Sequence, residues 1–312
     1  MKPKVYIDGQ EGTTGLQIYD RLQSRTDISL LTIEPEKRKD PQRRKELINS
    51  ADLVFLCLPD QAAVEAVELL ENSHTRIIDA STAHRTNPQW VYGFPELEKG
   101  QREAIGNAQL VANPGCHATG FLAGTAPLVK LGILPKDYPV AAYSLTGYSG
   151  GGKKMIAQYE APEKENDLFA PRVYGVDLHH KHLPEMQKIA GLAYPPVFSP
   201  IVDDYYKGML TVLSLHNRLL KGCPTTQDLY KALSTYYAQE PLIQVISPEE
   251  RPSLMAANTM AGKDSLEIIV SGNEEQTLVS VRFDNLGKGA SGAAVQNMNI
   301  MLGFPETTGL NL

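Results

Sequence analysis

Cys116 lies in ANPGCHATG, residues 112–120, directly after Asn-Pro-Gly and directly before a histidine. An extended stretch that ends in Asn-Pro-Gly and gives way to a helix puts this cysteine at or next to a helix N-terminus. Free backbone N–H groups and the positive end of the helix dipole stabilise a thiolate there, and the thiolate is the reactive form. Cysteine is also a small hydrophobe that is often simply buried, so position alone leaves both readings open. The other two cysteines differ in kind. Cys57 sits in DLVFLCLPD, the continuous apolar run of a strand covered on both faces, and Cys223 sits in the loop-like LLKGCPTT. Three cysteines do not make a disulfide framework.

A thiolate enzyme needs an acid/base, and GVDLHHKHLPEM (175–186) holds three of the seven histidines, His179, His180 and His182. In extended chain, His180 and His182 point to the same side. A solvated surface cluster, a zinc site and a general acid/base compete here. Zinc would need three or four closed ligands, and no C-x-x-C pair is present to complete the set. An acid/base histidine is commonly remote in sequence from the cysteine it serves.

Two glycine-rich stretches offer backbone N–H groups to phosphate. GYSGGGKK (147–154) nearly matches the P-loop pattern, but Lys154 stands where a magnesium-binding hydroxyl belongs. What remains is a glycine nest with two lysines, suited to a phosphate or acyl phosphate without metal, or else a flexible surface loop. DGQEGTTG places Gly9, Gly12 and Gly15 between the first strand and the first helix. That context suits the pyrophosphate of a dinucleotide, although the spacing departs from G-x-G-x-x-G and an ordinary βα loop is the alternative. Glu34, 25 positions after Gly9, is where an acidic residue takes a ribose 2′-hydroxyl. The basic run after it, with Lys37, Arg38 and Lys39, favours a 2′-phosphate instead. Arg38 is its leading candidate, and a solvated surface segment is the other reading of the run.

These groups must be held by two kinds of scaffold. Residues 1–111 alternate strand and helix signals: KVYID (4–8), TTGLQIYDRL (13–22, with Leu16, Tyr19 and Leu22 at helical spacing), ISLLTIE (28–34), ADLVFLCLP (51–59), AAVEAVELLE (62–71) and TRIIDAS (75–81). This alternation predicts an α/β, Rossmann-type parallel sheet. The cysteine helix runs to Gly132, with Pro127 expected to kink or interrupt it and Gly120 and Gly124 expected to pack closely, the cofactor domain being one candidate surface. From about residue 137 strands dominate, in YPVAAYSLTG, GMLTVLSLHN, SLEIIVSG and TLVSVRFDN, the last two as a hairpin. This is an α+β, mainly antiparallel domain. The final segment, 289–304, reads as a helix with Ala294, Met298, Met301 and Leu302 on one face. The expected boundaries are 1–115 plus 289–312 for a dinucleotide-binding domain and 116–288 for a catalytic domain.

A chain of 312 residues, 42% hydrophobic and 21% charged, suits a soluble enzyme of about two domains. Its net charge of −6 argues against nucleic acid as a partner. No apolar run approaches the roughly 18 residues of a membrane span, and the N-terminus has no signal-peptide pattern, so a cytoplasmic location is expected.

Taken together, the sequence resembles the shorter-type N-acetyl-gamma-glutamyl-phosphate reductases over nearly its full length. The resemblance rests on DGQEGTTG, DLVFLCLPD, DASTAHR (79–85), NPGC (113–116), TGYSGGGKK, HHKHLPE and NLGKGASGAAVQNMN (285–299). NPGC together with the H-x-H-x-P-E run is its most specific part. Aspartate-semialdehyde and glyceraldehyde-3-phosphate dehydrogenases are wider relatives with the same two-domain plan and a cysteine mechanism. The resemblance implies NADPH-dependent reduction of N-acetyl-glutamyl 5-phosphate to the semialdehyde in arginine biosynthesis, with phosphate released through a cysteine thioester. It implies Cys116 as nucleophile, His182 as acid/base and His180 as a polar anchor. Gly9, Gly12, Thr13, Thr14, Gly15, Arg38, Ser81 and Asn297 would bind NADP(H). Arg85, Asn113, Ser149, Gly150, Lys153 and Lys154 would bind the acyl-phosphate substrate. No metal is implied, and a homo-oligomer, dimer or tetramer, is. The chain departs from relatives in having His117 where many have Tyr, and in the additional His179. A reductase of an aspartyl or aminoadipyl phosphate, or a non-catalytic dinucleotide-binding sensor, are the alternatives.

Overall fold

The computed structural model describes residues 2–312. In chain order the elements are β1 (Lys4–Asp8), α1 (Thr13–Leu22), β2 (Ser29–Leu31), α2 (Pro41–Ser50), β3 (Leu53–Leu56), α3 (Asp60–Glu68), β4 (Arg76–Asp79), β5 (Val91–Tyr92), α4 (Gln101–Asn107) and β6 (Leu110–Ala112). There follow α5 (Cys116–Lys130), β7 (Ala141–Gly147), α6 (Gly152–Tyr159), β8 (Arg172–Val173), α7 (Leu183–Ala190), β9 (Val197–Asp203) and β10 (Met209–His216). The last are α8 (Thr226–Tyr236), β11 (Ile243–Ile246), β12 (Leu266–Gly272), β13 (Gln276–Phe283) and α9 (Gly292–Leu302). They form two compact units. The first takes the chain up to Pro95 with Lys99–Pro114 and Ala290–Leu310; the second takes Glu96–Glu98, Gly115–Gly289 and Asn311–Leu312.

The first unit is a six-stranded sheet in the order β2-β1-β3-β4-β6-β5, every pair parallel. Side chains alternate across it with period two. Val5, Ile7, Phe55 and Ile78 pack on Ile18 and Leu22 of α1 and on Ala294, Val295 and Met298 of α9. Tyr6, Val54, Leu56 and Ile77 pack on Leu47 and Ile48 of α2 and Ala66 of α3. Two details differ from the sequence reading. β2 pairs with β1 only over Ser29–Leu31, and Glu34 stands outside it as the N-cap of a short turn that Pro35 opens. The buried stripe of α1 is Gly15, Ile18 and Leu22, while Leu16 is 48% exposed. The stripe is fixed by Gly15, where a Cβ would lie 2.4 Å from the Gly9 carbonyl oxygen.

The second unit is a seven-stranded sheet, β11-β12-β13-β10-β7-β9-β8. Its central pairs β12–β13, β13–β10 and β10–β7 are antiparallel, and β7–β9 and β11–β12 are parallel. Helix α5 lies against the middle of this sheet. At Gly120 a Cβ would meet Thr211 Oγ1 at 2.4 Å and Phe283 at 2.8 Å, and at Gly124 it would meet Leu213 at 2.6 Å. The close packing expected of these glycines is therefore against β10 and β13 of their own unit, not against the cofactor domain. Pro127 does not interrupt α5, which runs on to Lys130. Proline deprives the Ala123 carbonyl of its helical donor, and the Tyr237 hydroxyl donates to that carbonyl instead, at 2.9 Å. Gly132, at φ +69°, closes the helix as expected. Glu96 joins this unit through an ion pair with fully buried Lys288 at 2.7 Å, and Asn311 through Asp264. Among the described residues no helix is long and apolar enough to cross a membrane.

Candidate active site

In the first unit, β1 runs into the glycine turn and α1 starts at Thr13 with Gly12 as N-cap. The three glycines have separate duties. Gly9 holds φ +86°, and a Cβ there would stand 2.4 Å from the Cys57 carbonyl oxygen. Gly15 lets the helix rest on the turn. Gly12 is exposed, and a Cβ there would meet nothing in the protein nearer than 3.4 Å, so packing of the fold does not itself require glycine at this position. No acidic residue occupies the first turn of α1, and no side chain caps it. Its first-turn N–H groups, with Thr13 and Thr14 among them, are thus left without a side-chain cap, an arrangement that can accept an anion.

Beside the turn is a cavity of about 460 Å³. Arg38, Lys39 and Arg44 line it, along with Gly9, Gly12 and Cys57. Arg38 pairs with exposed Glu11, and Arg44 forms an ion pair at 2.7 Å with buried Asp8 at the end of β1. Glu34 does not line the cavity. Its carboxylate is held by Arg43 at 3.0 Å, which keeps it ionised below the usual carboxylate range together with its backbone hydrogen bond. Arg38, Lys39 and Arg44 outnumber the two carboxylates of the lining, Asp8 and Glu11, and Glu34 is engaged elsewhere, so these residues fit a dinucleotide bearing a 2′-phosphate. Cys57 is half-buried at the cavity wall, one residue past the end of β3, rather than within a core strand. Burial pushes its thiol pKa well up, so it stays protonated and inert.

The other residues expected in this unit are held by hydrogen bonds. Ser81 Oγ donates to Asp79 at 2.6 Å, and the same carboxylate meets His84 Nδ1 at 2.7 Å, with the His84 ring stacked on Trp90. Arg85 is buried and donates to the carbonyls of Asn113 and Ala80. Asn297 donates to the Gly93 carbonyl and to Asn113 Oδ1, and Asn113 donates to the Ala290 carbonyl. The structure thus gathers Asn113, Asn297 and Arg85 at the ends of β4 and β6. Asn297 Oδ1 is a buried acceptor with no hydrogen-bond partner among the described residues.

In the second unit Cys116 is the first residue of α5, with Gly115 as extended N-cap, and is partly buried. The backbone N–H of Gly115 donates to buried Glu185 at 2.9 Å. Glu185 is in the first turn of α7, whose N-cap is His182. One hydrogen bond therefore fixes the cysteine turn to the histidine segment. Left-handed Gly175 (φ +62°) and Leu178 (φ +58°) fold that segment back. The His117 ring then lies 5.3 Å from His180, 5.7 Å from His182 and 6.2 Å from Tyr174. His179, by contrast, is exposed beside Asp177 and stands apart from the cluster.

The imidazoles have distinct electrostatics. Burial, with the nearby His180 and Lys181, drives the His117 pKa down to about 3. Burial and Lys181 lower His180 to about 4. His180 Nδ1 accepts the backbone N–H of His182 at 3.2 Å, which fixes its proton on Nε2. His117 is bound on both sides, to Ser144 Oγ at 3.0 Å and to the Tyr174 hydroxyl at 2.6 Å. Both rings are therefore neutral near pH 7. The His182 ring beside them is buried, 4% exposed.

The second glycine stretch forms a strand–turn–helix: β7 ends at Gly147, a short turn spans Tyr148–Gly151, and α6 begins at Gly152. Ser149 is buried and accepts from Asn285 Nδ2 at 3.0 Å, leaving its own proton to donate. Gly150, Lys153 and Lys154 are exposed. Tyr174, Ser144, Glu185 and Asn285 join these residues without having been marked by their own type and spacing. Glu185 and Asn285 stand inside the HHKHLPE and NLGKGASGAAVQNMN motifs, while Tyr174 and Ser144 carry no local signal. Among the described residues no group of three His, Cys, Asp or Glu side chains is placed to hold a metal ion.

Residues 9–108 match the family model for the NAD binding domain of semialdehyde dehydrogenase, and residues 116–285 match that for its dimerisation domain. Over 99% of both chains the sequence is 48% identical to N-acetyl-gamma-glutamyl-phosphate reductase 2 of Nostoc sp.. It is 47% identical to N-acetyl-gamma-glutamyl-phosphate reductase of Brucella ovis, over 97% of this chain and 100% of the relative. Among solved structures, aspartate semialdehyde dehydrogenase II of Vibrio cholerae superposes with a TM-score of 0.72 at 16% identity, covering 97% of this chain and 98% of that one. The fold is shared with that enzyme.

Proposed function

The chain belongs to the N-acetyl-gamma-glutamyl-phosphate reductases of the semialdehyde dehydrogenase family, and from that premise we propose how its own residues carry the reaction. It is an NADP-dependent oxidoreductase of arginine biosynthesis. It reduces N-acetyl-glutamyl 5-phosphate to N-acetyl-glutamate 5-semialdehyde with release of phosphate. When bound, NADPH supplies the hydride that reduces the thioester carbonyl carbon.

Cys116 is the nucleophile. The start of α5 supplies N–H groups and dipole that hold it as thiolate. Its sulfur attacks the acyl carbon and the carbon–oxygen bond to phosphate breaks, leaving a thioester on Cys116. Ser149 and the N–H groups of the turn at Tyr148–Gly151 hold the phosphate, with Lys153 and Lys154 neutralising its charge. His182 is the acid/base. It protonates the oxyanion formed on reduction and takes the proton back as the carbon–sulfur bond breaks, which regenerates the thiolate. His180 presents Nε2–H as a neutral donor. Arg85 and Asn113 serve the substrate end, Asn297 and Ser81 the cofactor, and Arg38 with Lys39 the 2′-phosphate. The working enzyme is a homo-oligomer, in keeping with its dimerisation-domain match.

The observation that carries this reading is the tie from the Cys116 turn through Glu185 to the helix that begins at His182, next to two imidazoles held neutral. A spectrophotometric assay tests it, following NADPH formed from NADP⁺, phosphate and N-acetyl-glutamate semialdehyde. Wild type turns over and Cys116→Ala is silent. Turnover of aspartate semialdehyde in place of the acetylated substrate would overturn the substrate assignment, and full activity of Cys116→Ala would overturn the nucleophile.

A further inference from the structure

The turn Asp284–Gly289, directly after β13, takes no part in the steps above, yet it touches both Ser149 and Cys116. At one end, Asn285 is 1% exposed. Its Oδ1 accepts the Gly208 N–H at 2.8 Å, and its Nδ2 donates to Ser149 Oγ at 3.0 Å. The Gly208 N–H needs the amide oxygen, which settles how the amide is turned and leaves Nδ2 for Ser149. At the other end, Gly289 lies on the cysteine. A Cβ at Gly289 would stand 3.0 Å from the Cys116 Cβ.

The turn is firmly seated. The Gly289 N–H donates to the Asp284 carbonyl at 3.0 Å, and the buried Asp284 carboxylate accepts the N–H groups of Leu286 and Gly262. At Gly287 a Cβ would meet the Lys263 carbonyl oxygen at 2.2 Å, and buried Lys288 is tied to Glu96 at 2.7 Å. A Cβ at Gly289 would also meet the Asp284 carbonyl oxygen and the Phe283 ring, each at 3.1 Å. That carbonyl is bonded to Gly289 itself. The Phe283 ring is fully buried and already bounds Gly120, where a Cβ would reach it at 2.8 Å. Cys116, partly buried at the first position of α5, is the neighbour with room to yield. Carbon atoms in contact rest about 3.5–4.0 Å apart, so a side chain at 289 displaces the cysteine by about 0.5 Å or more.

We propose that the turn Asp284–Gly289 is a positioning element for acyl transfer: Asn285 fixes the Ser149 hydroxyl for the phosphate, and the bare Gly289 lets Cys116 stand where its sulfur meets the acyl carbon. This rests on the reading of Cys116 as nucleophile and of Ser149 as a phosphate-holding group.

The test separates the two ends of the turn in full-length enzyme. Turnover is measured with NADP⁺, N-acetyl-glutamate semialdehyde and varied inorganic phosphate, and the Cys116 thiolate is measured by its iodoacetamide labelling rate at pH 7. Gly289→Ala lowers kcat about tenfold or more and leaves the KM for phosphate within about twofold, because a misplaced nucleophile loses transition-state contacts and not phosphate binding. Its labelling stays within about threefold of wild type, since a small alkylating reagent needs the thiolate but not its aim. Asn285→Ala gives the converse, a KM for phosphate raised about tenfold with kcat within about threefold, the size of one hydrogen bond to a charged group. Added to Ser149→Ala, it raises that KM by no more than about a further threefold. Should Gly289→Ala not fold, it is combined with Cys116→Gly: recovery of the folded enzyme upholds the contact, and failure in both overturns it. Full activity of Cys116→Ala, or a phosphate KM unmoved in Ser149→Ala, would strike the roles of those two residues and the proposal with them. With both of those controls as expected, three results would overturn the proposal alone. They are an unchanged kcat in Gly289→Ala, labelling that falls in step with its kcat, and the same loss pattern in Gly289→Ala and Asn285→Ala.

Discussion

Replacing Tyr237 by Phe removes the hydroxyl that donates to the Ala123 carbonyl inside α5, the helix that begins at Cys116. Pro127 stands four residues after Ala123 and has no N–H, so the helix cannot make that bond from within. Tyr237 is 3% exposed, which excludes water as a ready substitute. A buried carbonyl left unsatisfied costs about 1–3 kcal/mol. Ring packing is conserved in Phe, so nearly all of the loss belongs to the hydrogen bond. Urea denaturation should therefore show Tyr237→Phe destabilised by about 2 kcal/mol with its m value unchanged. The decisive comparison is in a Pro127→Ala background, where residue 127 regains an N–H for Ala123. There the same substitution should cost less than about 0.5 kcal/mol, the coupling expected of two groups that serve one acceptor. An equal cost in both backgrounds would refute the reasoning.

Three other outcomes follow from the geometry. His117 has a folded pKa of about 3 against 6.5 for the free side chain, so between these values the unfolded chain binds the proton and the folded one does not. Stability is therefore lost as pH falls from about 6.5, by up to about 1.4 kcal/mol per pH unit, and His117→Phe should flatten that acid limb in denaturation curves taken between about pH 6 and 4. The glycine turn separates fold from ligand. Gly9→Ala, at positive φ and against the Cys57 carbonyl, should lower Tm and NADPH affinity together, whereas Gly12→Ala should keep Tm and weaken NADPH binding alone in a fluorescence titration. Arg38→Ala should raise KM for NADPH about tenfold with little change for NADH, and equal loss for both coenzymes would show that Arg38 does not read the 2′-phosphate.

Most of the architecture could be read from local pattern, because β1 and β3 are short, largely apolar runs and β12 and β13 are runs rich in Ile, Val and Leu on either side of a turn. The end of β2 and the buried face of α1 differ from local pattern, the second because Gly15 rests on the Gly9 carbonyl, while the α1 boundaries agree with it. That α5 continues past Pro127 carries no local signal, because the hydroxyl that serves the Ala123 carbonyl belongs to Tyr237, 110 residues away. The chemistry-bearing motifs stood out because thiolate, imidazole and glycine turn each need particular residue types at fixed spacing. Their supporting partners did not. Ser144 and Thr211 are ordinary strand residues until the β7–β10 register sets them side by side, and Tyr174 meets His117 across 57 residues of chain.

The central claim is that the acyl group passes through Cys116, and the most direct measurement is to catch it there. Enzyme mixed with N-acetyl-glutamyl phosphate in the absence of NADPH should release phosphate in a single-turnover burst. It should also carry one acyl group, found by peptide mass spectrometry on Cys116, cleaved by hydroxylamine and discharged by NADPH. A phosphate burst with the acyl group on another residue, or steady turnover with no hydroxylamine-sensitive adduct on Cys116, would contradict the account.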